Sequence, residues 1–271
     1  MKKNKSKKTL RYRLASLVRL LTGKPRPKTA AIILAGGSGT RFGGDRPKQL
    51  TELLGIPVII RSALAFEACP YIDETVIVSR DEDIDEIRAL CTRYAIRKLK
   101  CVTAGGATRQ ESSMLGVRAA GGDAEFVAIH DAARCLVTAD TVSAVAAEAY
   151  VYGGASAVGP VYDTVKKTDS LGFIKETVDR SSLVAAQTPQ IFRKSLYLAA
   201  AELALRESFS VTDDNSLLER LGQAVKAVES RGENFKITTA EDMLRAEAVL
   251  RARADEGRRR DGDTHQNRAR V

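Results

Sequence analysis

Strand-like and helix-like segments alternate along most of this 271-residue chain, and the alternation limits its fold more than any other feature does. Continuous apolar runs with the length of strands occur at residues 31–34, 74–79, 100–103, 126–130 and 155–160. Helical spacing of apolar residues occurs at about residues 57–68, 82–94, 108–120 and 139–151. Continuous apolar runs are typical of strands that are buried on both faces. The pattern predicts a Rossmann-like α/β fold of three layers, with a mostly parallel central sheet and right-handed crossovers.

The pattern changes after residue 160. β-Branched residues flank the sequence Asp169-Ser170-Leu171-Gly172, which predicts a β-hairpin. The segment from about 160 to 182 is polar on both sides and has little to bury by itself, so we expect a protruding arm that packs on another chain. Further helices are expected at about 193–207, 213–221 and 239–253, and short strands at 224–228 and 235–237.

The composition is that of an ordinary globular protein, with 44% hydrophobic and 28% charged residues. No run approaches the roughly 18 apolar residues of a membrane-spanning helix. The four cysteines form no Cys-x-x-Cys pair, and the chain has only two histidines. These counts argue against a structural zinc site or a disulfide framework, and they favour a reducing compartment.

The net charge of +9 is concentrated in the two ends of the chain. Residues 1–28 contain eleven Lys or Arg and no acidic residue, and residues 251–271 also have a basic surplus. The part between them is therefore mildly acidic, which argues against nucleic acid as a partner. We divide the chain into a basic extension (1–28), one domain (29–252) and a disordered tail (253–271).

The basic extension contains a predicted amphipathic helix. Leucines and a valine recur at helical spacing in "LRYRLASLVRLLTG", with arginines around them. Such a helix either contacts a membrane surface or a partner, or is a tolerated extension with no role of its own. The first nine residues are too polar to pack and are expected to be disordered.

A glycine-rich loop, "LAGGSGTRFGGDRPKQL", follows the first strand and indicates phosphate binding. Gly39 and Gly44 have the spacing of a Walker A motif, but Asp45 stands where that motif requires Lys. The dinucleotide fingerprint also fails, because Phe42 occupies its last glycine position. The loop therefore predicts a nucleotide site of another kind.

Polar residues and glycines follow three of the predicted strands, and a parallel sheet would bring them to one edge. They are Arg41 and Lys48 after the first strand, Gly105, Gly106 and Ser112 after the third, and Asp131 and Arg134 after the fourth. Mg²⁺ prefers one or two carboxylates together with phosphate oxygens, so Asp131 is the candidate metal ligand. Alternatively, Asp131 caps a helix or turn, and the two cations of the first loop belong to a solvated face.

The sequence contains no convincing pair of nucleophile and general base. His265 lies in the predicted tail, and His130 ends a predicted buried strand, where a structural role is expected. This argues against a covalent enzyme intermediate and for direct attack of one bound substrate on another.

Eight motifs in order resemble those of the methylerythritol phosphate cytidylyltransferases of the non-mevalonate isoprenoid pathway. They are "LAGGSGTRFGGDRPKQ", "GGATRQESS", "HDAAR", "DTVK", "TVDR", "QTPQ", "VTDD" and "NFKIT", and the resemblance covers about residues 30–252. It implies a nucleotidyltransferase fold with a dimerisation arm. It also implies CTP and a polyol phosphate as substrates, with Mg²⁺ or another divalent cation.

The resemblance further implies a role for each matching residue. The nucleotide would be bound by Ala35, Gly36, Gly37, Gly39, Gly105, Gly106 and Ser112. The catalytic residues would be Arg41, Lys48, Arg180 and Lys236, and the metal ligand would be Asp131. The acceptor would be bound by Arg134, Thr164, Thr188 and Thr212. Because the hairpin of the family reaches across a homodimer, Thr164 and Arg180 would serve the neighbouring subunit's site.

Two positions depart from the family pattern. Cys135 follows "HDAAR" where the family usually has Pro, which is expected to loosen that loop. At position 36 the family more often has Ala, and the Gly of this chain is more like the residue that ribitol-phosphate cytidylyltransferases have there. D-ribitol 5-phosphate is therefore the alternative acceptor, and a catalytically silent scaffold is the second alternative. A bacterial cytoplasm is the expected location, and an organelle is the alternative that the basic leader permits.

Overall fold

A seven-stranded sheet forms the centre of the protein in a computed structural model, which describes residues 23, 25–37, 42, 46–230 and 232–268. The strands are β1 (Thr29–Leu34), β2 (Glu52–Leu53), β3 (Ile56–Pro57), β4 (Glu74–Ser79), β5 (Leu99–Ala104), β6 (Phe126–Asp131), β7 (Gly154–Gly159), β8 (Lys166–Thr168), β9 (Ile174–Thr177), β10 (Ala185–Arg193) and β11 (Lys226–Glu229). The α-helices are α1 (Val58–Ala68), α2 (Ile84–Arg93), α3 (Arg109–Ala119), α4 (Ala139–Tyr152), α5 (Lys194–Arg206), α6 (Asp214–Arg220) and α7 (Ala240–Arg268).

The sheet has the strand order β11-β7-β10-β6-β1-β4-β5. Its strands pair in parallel except β10, which lies antiparallel between β6 and β7. The prediction of a mostly parallel α/β sheet is therefore confirmed.

Helices cover both faces of the sheet, and alternate residues of each central strand face opposite layers. Ile33 of β1 packs in a cluster with residues of α1, α2 and α4, whereas Ile32 packs in a second cluster with residues of α3, α5 and α6. Both isoleucines are fully buried. The continuous apolar run of β1 thus reflects burial on both faces, and the three-layer prediction is confirmed.

Strand β10 was not predicted, and the predicted strand at 235–237 is absent. The first half of β10 reads "AAQTP", which carries little strand signal, but Ile191 and Phe192 are fully buried and hold its second half in the core. Residues 235–237 run as a loop, and the Ile237 N–H donates to the carbonyl of Ala133 at 2.8 Å. Ile237 is buried and Phe235 partly buried in a cluster with Cys135 and Leu136, which lie in the loop that follows β6.

The last helix is longer than predicted. We expected it to end near residue 253 and the tail to be disordered, whereas α7 continues to Arg268. The extension contains the run Arg258-Arg259-Arg260, a residue type that favours helix, and the pair of Arg258 with Asp255 supports it at helical spacing.

The predicted hairpin is present as β8 and β9, which pair antiparallel. The Asp169 carboxylate accepts the backbone N–H groups of Leu171 at 3.0 Å and Phe173 at 2.9 Å, and Gly172 adopts a φ of 86°. Every residue of β8 and β9 is exposed. The predicted amphipathic helix of the N-terminal extension lies outside the described residues. Within the described part, no helix combines the length and the apolar character needed to cross a membrane.

Candidate active site

A cavity of about 420 Å³ opens at the carboxyl ends of β1, β5 and β6. It brings together the three clusters that the sequence placed at one edge of the sheet. Its walls include Ala35, Gly36, Gly37, Lys48, Gly106, Ser112, Asp131 and Lys236. The predicted residues Gly39 and Arg41 lie outside the described residues.

The turn between β5 and α3 requires glycine because a Cβ atom has no space at two of its positions. A Cβ atom at Gly105 would lie 2.7 Å from the Oγ of Ser112, and one at Gly106 would lie 2.4 Å from the Cβ of Glu111. The Ser112 hydroxyl accepts the N–H of Gly106 at 3.1 Å. Thr108 and Glu111 form a capping box that starts α3 at this point. The turn is therefore held tightly against the first turn of the helix, at the cavity wall.

Among its described residues, the glycine-rich loop that follows β1 pairs with the sheet through Ala35. The Ala35 N–H donates to the carbonyl of Val78 at 2.7 Å, which ends the pairing of β1. A Cβ atom at Gly36 would have its nearest contact at 3.9 Å, and one at Gly37 would meet nothing within 4 Å. An Ala would therefore fit at position 36, and the space there does not require Gly.

Asp131 lies at the end of β6 between two cations. Its Oδ2 accepts from the Nζ of Lys236 at 2.8 Å, and its Oδ1 accepts from the Nε of Arg109 at 3.2 Å. Burial alone would raise the pKa of Asp131, but the charges of Arg109 and Lys236 outweigh it and hold the pKa well below its usual range. The carboxylate is therefore ionised at neutral pH and available to a cation.

Arg109 and Asp214 complete this cluster, and neither was predicted as a site residue. Arg109 also donates from Nη1 to the Oδ2 of Asp214 at 2.6 Å. The Asp214 side chain is only 1% exposed and also accepts from the hydroxyl of Tyr197 at 3.2 Å. Both residues belong to quoted motifs, "GGATRQESS" and "VTDD", but only the fold shows that they meet.

Lys48 and Lys236 both line the first cavity, although they are far apart in the sequence. The Lys48 ammonium donates to the carbonyl of Ile237 at 3.0 Å, so the loop that carries Lys236 also fixes Lys48. The non-strand conformation of residues 235–237 thus brings both ammonium groups to one wall.

A second cavity of about 280 Å³ adjoins the first. Three residues line both cavities: Arg109, Asp131 and Lys236. The second cavity is also lined by three predicted acceptor residues, Arg134, Thr188 and Thr212. Arg134 donates from Nη1 to the carbonyl of Asn234 at 3.0 Å, and Thr188 accepts the backbone N–H of Asp131 at 3.1 Å.

Comparisons with known proteins match this arrangement to one family. The family model described as 2-C-methyl-D-erythritol 4-phosphate cytidylyltransferase matches residues 29–252. The chain belongs to this family. The enzyme of that name from Geobacillus kaustophilus is 41% identical over 226 residues, which are 83% of this chain and 98% of the relative.

Solved structures of the same family share the fold. The crystal structure of 4-diphosphocytidyl-2C-methyl-D-erythritol synthase from Anaerococcus prevotii has a TM-score of 0.75 and 29% identity, covering 83% of this chain and 96% of that one. The 2-C-methyl-D-erythritol 4-phosphate cytidylyltransferase from Thermus thermophilus has a TM-score of 0.67 and 27% identity, covering 83% and 99%. Membership of this family makes the chain a nucleotidyltransferase of the cytidylyltransferase class.

Two residues that the family pattern assigns to the active site lie away from both cavities. Thr164 and Arg180 are exposed on the arm and at its base, and Arg180 donates to the carbonyl of Tyr162 at 2.6 Å. Neither residue lines a cavity that contains Asp131. In a single copy of the chain, the cytidylyltransferase site is therefore built without them.

At Cys135, where the chain departs from the family pattern, the loop is held by a turn and by packing. The Arg134 N–H donates to the carbonyl of Asp131 at 2.9 Å, which closes a turn. The Cys135 side chain is buried in a cluster with Leu136 and Ile237, and this burial raises the pKa of its thiol to about 11. Packing thus restrains the loop where the family usually has Pro.

The donor set suits a metal that is held mainly by substrate. Among the described residues, no group of three or more His, Cys, Asp or Glu side chains could enclose an ion. One ionised carboxylate at the wall of the first cavity is the protein contribution that Mg²⁺ needs when nucleotide oxygens supply other ligands. Asp131 therefore fits the divalent cation that cytidylyl transfer implies.

Proposed function

We propose that this chain transfers the cytidylyl group of CTP to 2-C-methyl-D-erythritol 4-phosphate. The products would be pyrophosphate and 4-diphosphocytidyl-2-C-methyl-D-erythritol. The observation that carries the proposal is the pair of adjoining cavities, separated only by Arg109, Asp131 and Lys236. Two phosphate substrates that react with each other need two adjoining sites, and the shared wall of these two cavities carries two cations, Arg109 and Lys236, beside Asp131.

The first cavity is proposed to bind CTP. Its cytidine would be held by Gly36, Gly37, Gly106 and Ser112 together with Ala35, Gly39 and Gly105. Lys48, with Arg41, would neutralise the charge that develops at the α-phosphorus and on pyrophosphate. Electrostatic stabilisation of this kind provides most of the catalysis in phosphoryl transfer.

The second cavity is proposed to bind the acceptor phosphate. Lys236 lies between the two cavities, and its ammonium group can contact the acceptor phosphate and the developing charge at phosphorus. Arg134, Thr188 and Thr212 would contact the remainder of the acceptor. An oxygen of the acceptor phosphate would attack the α-phosphorus while the bond to the pyrophosphate oxygen breaks.

No general base is required for this attack. The second ionisation of a phosphate monoester has a pKa near 6, so at neutral pH the attacking oxygen is already largely deprotonated. This agrees with His130, which is fully buried and whose pKa burial lowers to about 3. A neutral, enclosed imidazole does not exchange protons with substrate.

Asp131 is proposed to hold Mg²⁺ or another divalent cation beside the α-phosphate. When bound, the cation would neutralise phosphate charge and favour the departure of pyrophosphate. The chain's own part would be to keep Asp131 ionised and oriented toward the first cavity.

We propose a homodimer because the arm residues Thr164 and Arg180 line neither active-site cavity of their own chain. Large apolar side chains are exposed on β8, β9 and their turn: Leu171 at 80%, Phe173 at 67% and Ile174 at 67%. An isolated two-stranded hairpin gains little stability by itself, so packing on a second copy would stabilise it. Thr164 and Arg180 would then complete the partner's acceptor site.

The proposed location is the bacterial cytoplasm. The described cysteines are free thiols, which suits a reducing compartment, and the relatives named above come from bacteria. Nucleic acid is not proposed as a partner, and the role of the N-terminal extension stays a prediction.

The decisive experiment is pyrophosphate release from CTP and Mg²⁺ with two acceptors in parallel, methylerythritol 4-phosphate and ribitol 5-phosphate. Release with the first acceptor alone is expected. Release with ribitol 5-phosphate alone would contradict the proposal, and Gly36 is the residue that favours this alternative. Either Gly or Ala fits in the open space at position 36, so Gly36 is weak support for ribitol 5-phosphate as the acceptor.

The variant Asp131→Asn tests whether the chain is an active enzyme or a catalytically silent scaffold. The variant keeps the volume of the side chain and removes the charge that would hold the cation. We expect pyrophosphate release to fall by at least about 100-fold, as for loss of a direct electrostatic contributor to catalysis. Unchanged release in a folded Asp131→Asn protein would contradict the role of Asp131.

A further inference from the structure

Asp214 is a buried carboxylate that contacts neither cavity. It is the first residue of α6, and hydrogen bonds fix it on three sides. Its backbone N–H donates to the Oε1 of Gln190 at 3.0 Å, its Oδ1 accepts from Tyr197, and its Oδ2 accepts from Arg109. A carboxylate held in this way is a rigid anchor for any cation that it pairs with.

Arg109 connects this anchor to the active site. One edge of its guanidinium group contacts Asp214 through Nη1, and its Nε contacts the Oδ1 of Asp131. Because the guanidinium group is planar and rigid, fixing Nη1 also fixes the direction of Nε. Arg109 is 30% exposed and lines both cavities, where an unanchored side chain of its length would sample several rotamers.

The neighbouring Asp213 caps its own helix, although its Oδ2 also accepts from the Nε2 of Gln190 at 2.9 Å and it lines the second cavity. Its Oδ1 accepts the N–H of Ser216 at 3.1 Å and caps α6. Asp214 instead pairs with a residue 105 positions away that touches the reaction site.

We propose that Asp214 is a positioning residue for cytidylyl transfer, which orients Arg109 and, through it, the carboxylate of Asp131. The inference rests on the proposed function, because it assumes that Asp131 meets the cation bound to CTP. Asp214 itself contacts no substrate and is not a catalytic residue.

The test is Asp214→Asn, which keeps the side-chain volume but binds the guanidinium group more weakly. The dissociation constant of CTP with Mg²⁺ is measured by calorimetry, and kcat and KM are measured for transfer. We expect binding and kcat/KM to fall by roughly 10- to 100-fold, as for other residues that orient a ligand of a metal. Asp73→Asn is the matched control, because Asp73 pairs with Arg26 at 2.7 Å at the amino end of β4. This control removes a more exposed Arg–Asp ion pair that lines neither cavity, and it should leave CTP binding unchanged.

Arg109→Lys provides a second line of evidence, since Lys cannot bridge two carboxylates as Arg does. We expect the double variant Asp214→Asn, Arg109→Lys to bind CTP and Mg²⁺ no more weakly than Arg109→Lys does. The proposal is overturned if Asp214→Asn stays within about twofold of the wild type, or if the two losses multiply in the double variant. Should Asp214→Asn not fold, unchanged CTP binding by Arg109→Lys would overturn it equally.

The same data separate this inference from the proposed function. A wild-type protein that binds CTP but transfers to neither acceptor would contradict the proposed reaction alone. The comparison of CTP binding between wild type, Asp214→Asn and Asp73→Asn would still test the positioning role.

Discussion

At the scale of single residues, His130 shows how closely the fold and the site are joined. The Thr188 hydroxyl oxygen accepts the N–H of Asp131, so its own proton is directed at the Nδ1 of His130, 2.9 Å away. This arrangement fits a neutral imidazole whose Nδ1 accepts the hydroxyl proton, and burial lowers the pKa of His130 to about 3. The ring also packs against Phe66, with 4.9 Å between ring centroids. The neutral form of His130 therefore supports the strand end that carries Asp131.

We predict that His130 makes the stability of the protein depend on pH. Its pKa is about 3 when folded and near 6.5 when unfolded, so the unfolded state binds more protons between these values. The free energy of unfolding should fall by up to about 1.4 kcal/mol per unit as pH drops below 6.5. Urea unfolding between pH 5 and 6.5 measures this slope, in a range where carboxylates contribute little.

His130→Asn should lose most of that slope, because Asn keeps an acceptor for Thr188 and does not titrate. His265→Asn, which alters the chain's only other histidine, should retain the slope. An unchanged slope in His130→Asn would show that other groups cause the pH dependence.

The candidate site could be predicted from the sequence where its residues end a strand or lie in the loop that follows one. Asp131, Lys48 and Gly106 were found in this way, and all three line the first cavity. Arg109 and Asp214 were not assigned, because their contact joins distant segments and no local pattern reports it. A pair of this kind becomes visible only when packing has brought α3 and α6 together.

At the scale of elements, α3 approaches the sheet closely through Gly116. A Cβ atom there would lie 2.3 Å from the Cγ2 of Ile32 and 2.7 Å from the Cγ2 of Val78. Both neighbours are β-branched and fully buried, so they have little freedom to move aside. The close approach sets the position of the first turn of α3, which carries Arg109 and Ser112.

We predict that Gly116→Ala destabilises the protein and weakens CTP binding. Overpacking costs about 1–3 kcal/mol, which exceeds the gain of up to about 1 kcal/mol in helix propensity. Thermal unfolding and the KM for CTP measure the two effects. Gly122→Ala is the control, because a Cβ atom at Gly122 meets nothing within 4 Å. Equal melting temperatures and KM values for the two variants would contradict the prediction.

Most elements of the fold could be predicted because their apolar patterns are long and regular. The exceptions are elements whose conformation depends on a distant neighbour. Strand β10 is specified by its place between β6 and β7, and the loop at 235–237 by its contact with Ala133. Neither neighbour can be identified from local sequence.

At the scale of the whole molecule, the proposed dimer divides each acceptor site between two chains. Lys236 lies in the cavities of its own chain, whereas Arg180 is exposed at the base of the arm. If the arm reaches a second copy, each complete site contains Lys236 from one chain and Arg180 from the other.

We predict that mixing two inactive variants restores activity. Arg180→Ala and Lys236→Ala should each be nearly inactive as homodimers. After unfolding and refolding together, half of the dimers are mixed, and each mixed dimer has one intact site, which gives roughly one quarter of wild-type activity. Pyrophosphate release by the refolded mixture is the measurement. Activity no higher than that of the separate variants would show that the arm does not complete a partner's site.

The arm leaves and re-enters the sheet at two adjacent points. Gly159, the last residue of β7, pairs with Ala185, the first residue of β10. An insertion whose ends are hydrogen-bonded neighbours can change in length and sequence over evolutionary time without shifting the register of the strands around it. The part of the enzyme proposed to meet the acceptor can therefore diversify while the edge that is proposed to read the nucleotide stays fixed.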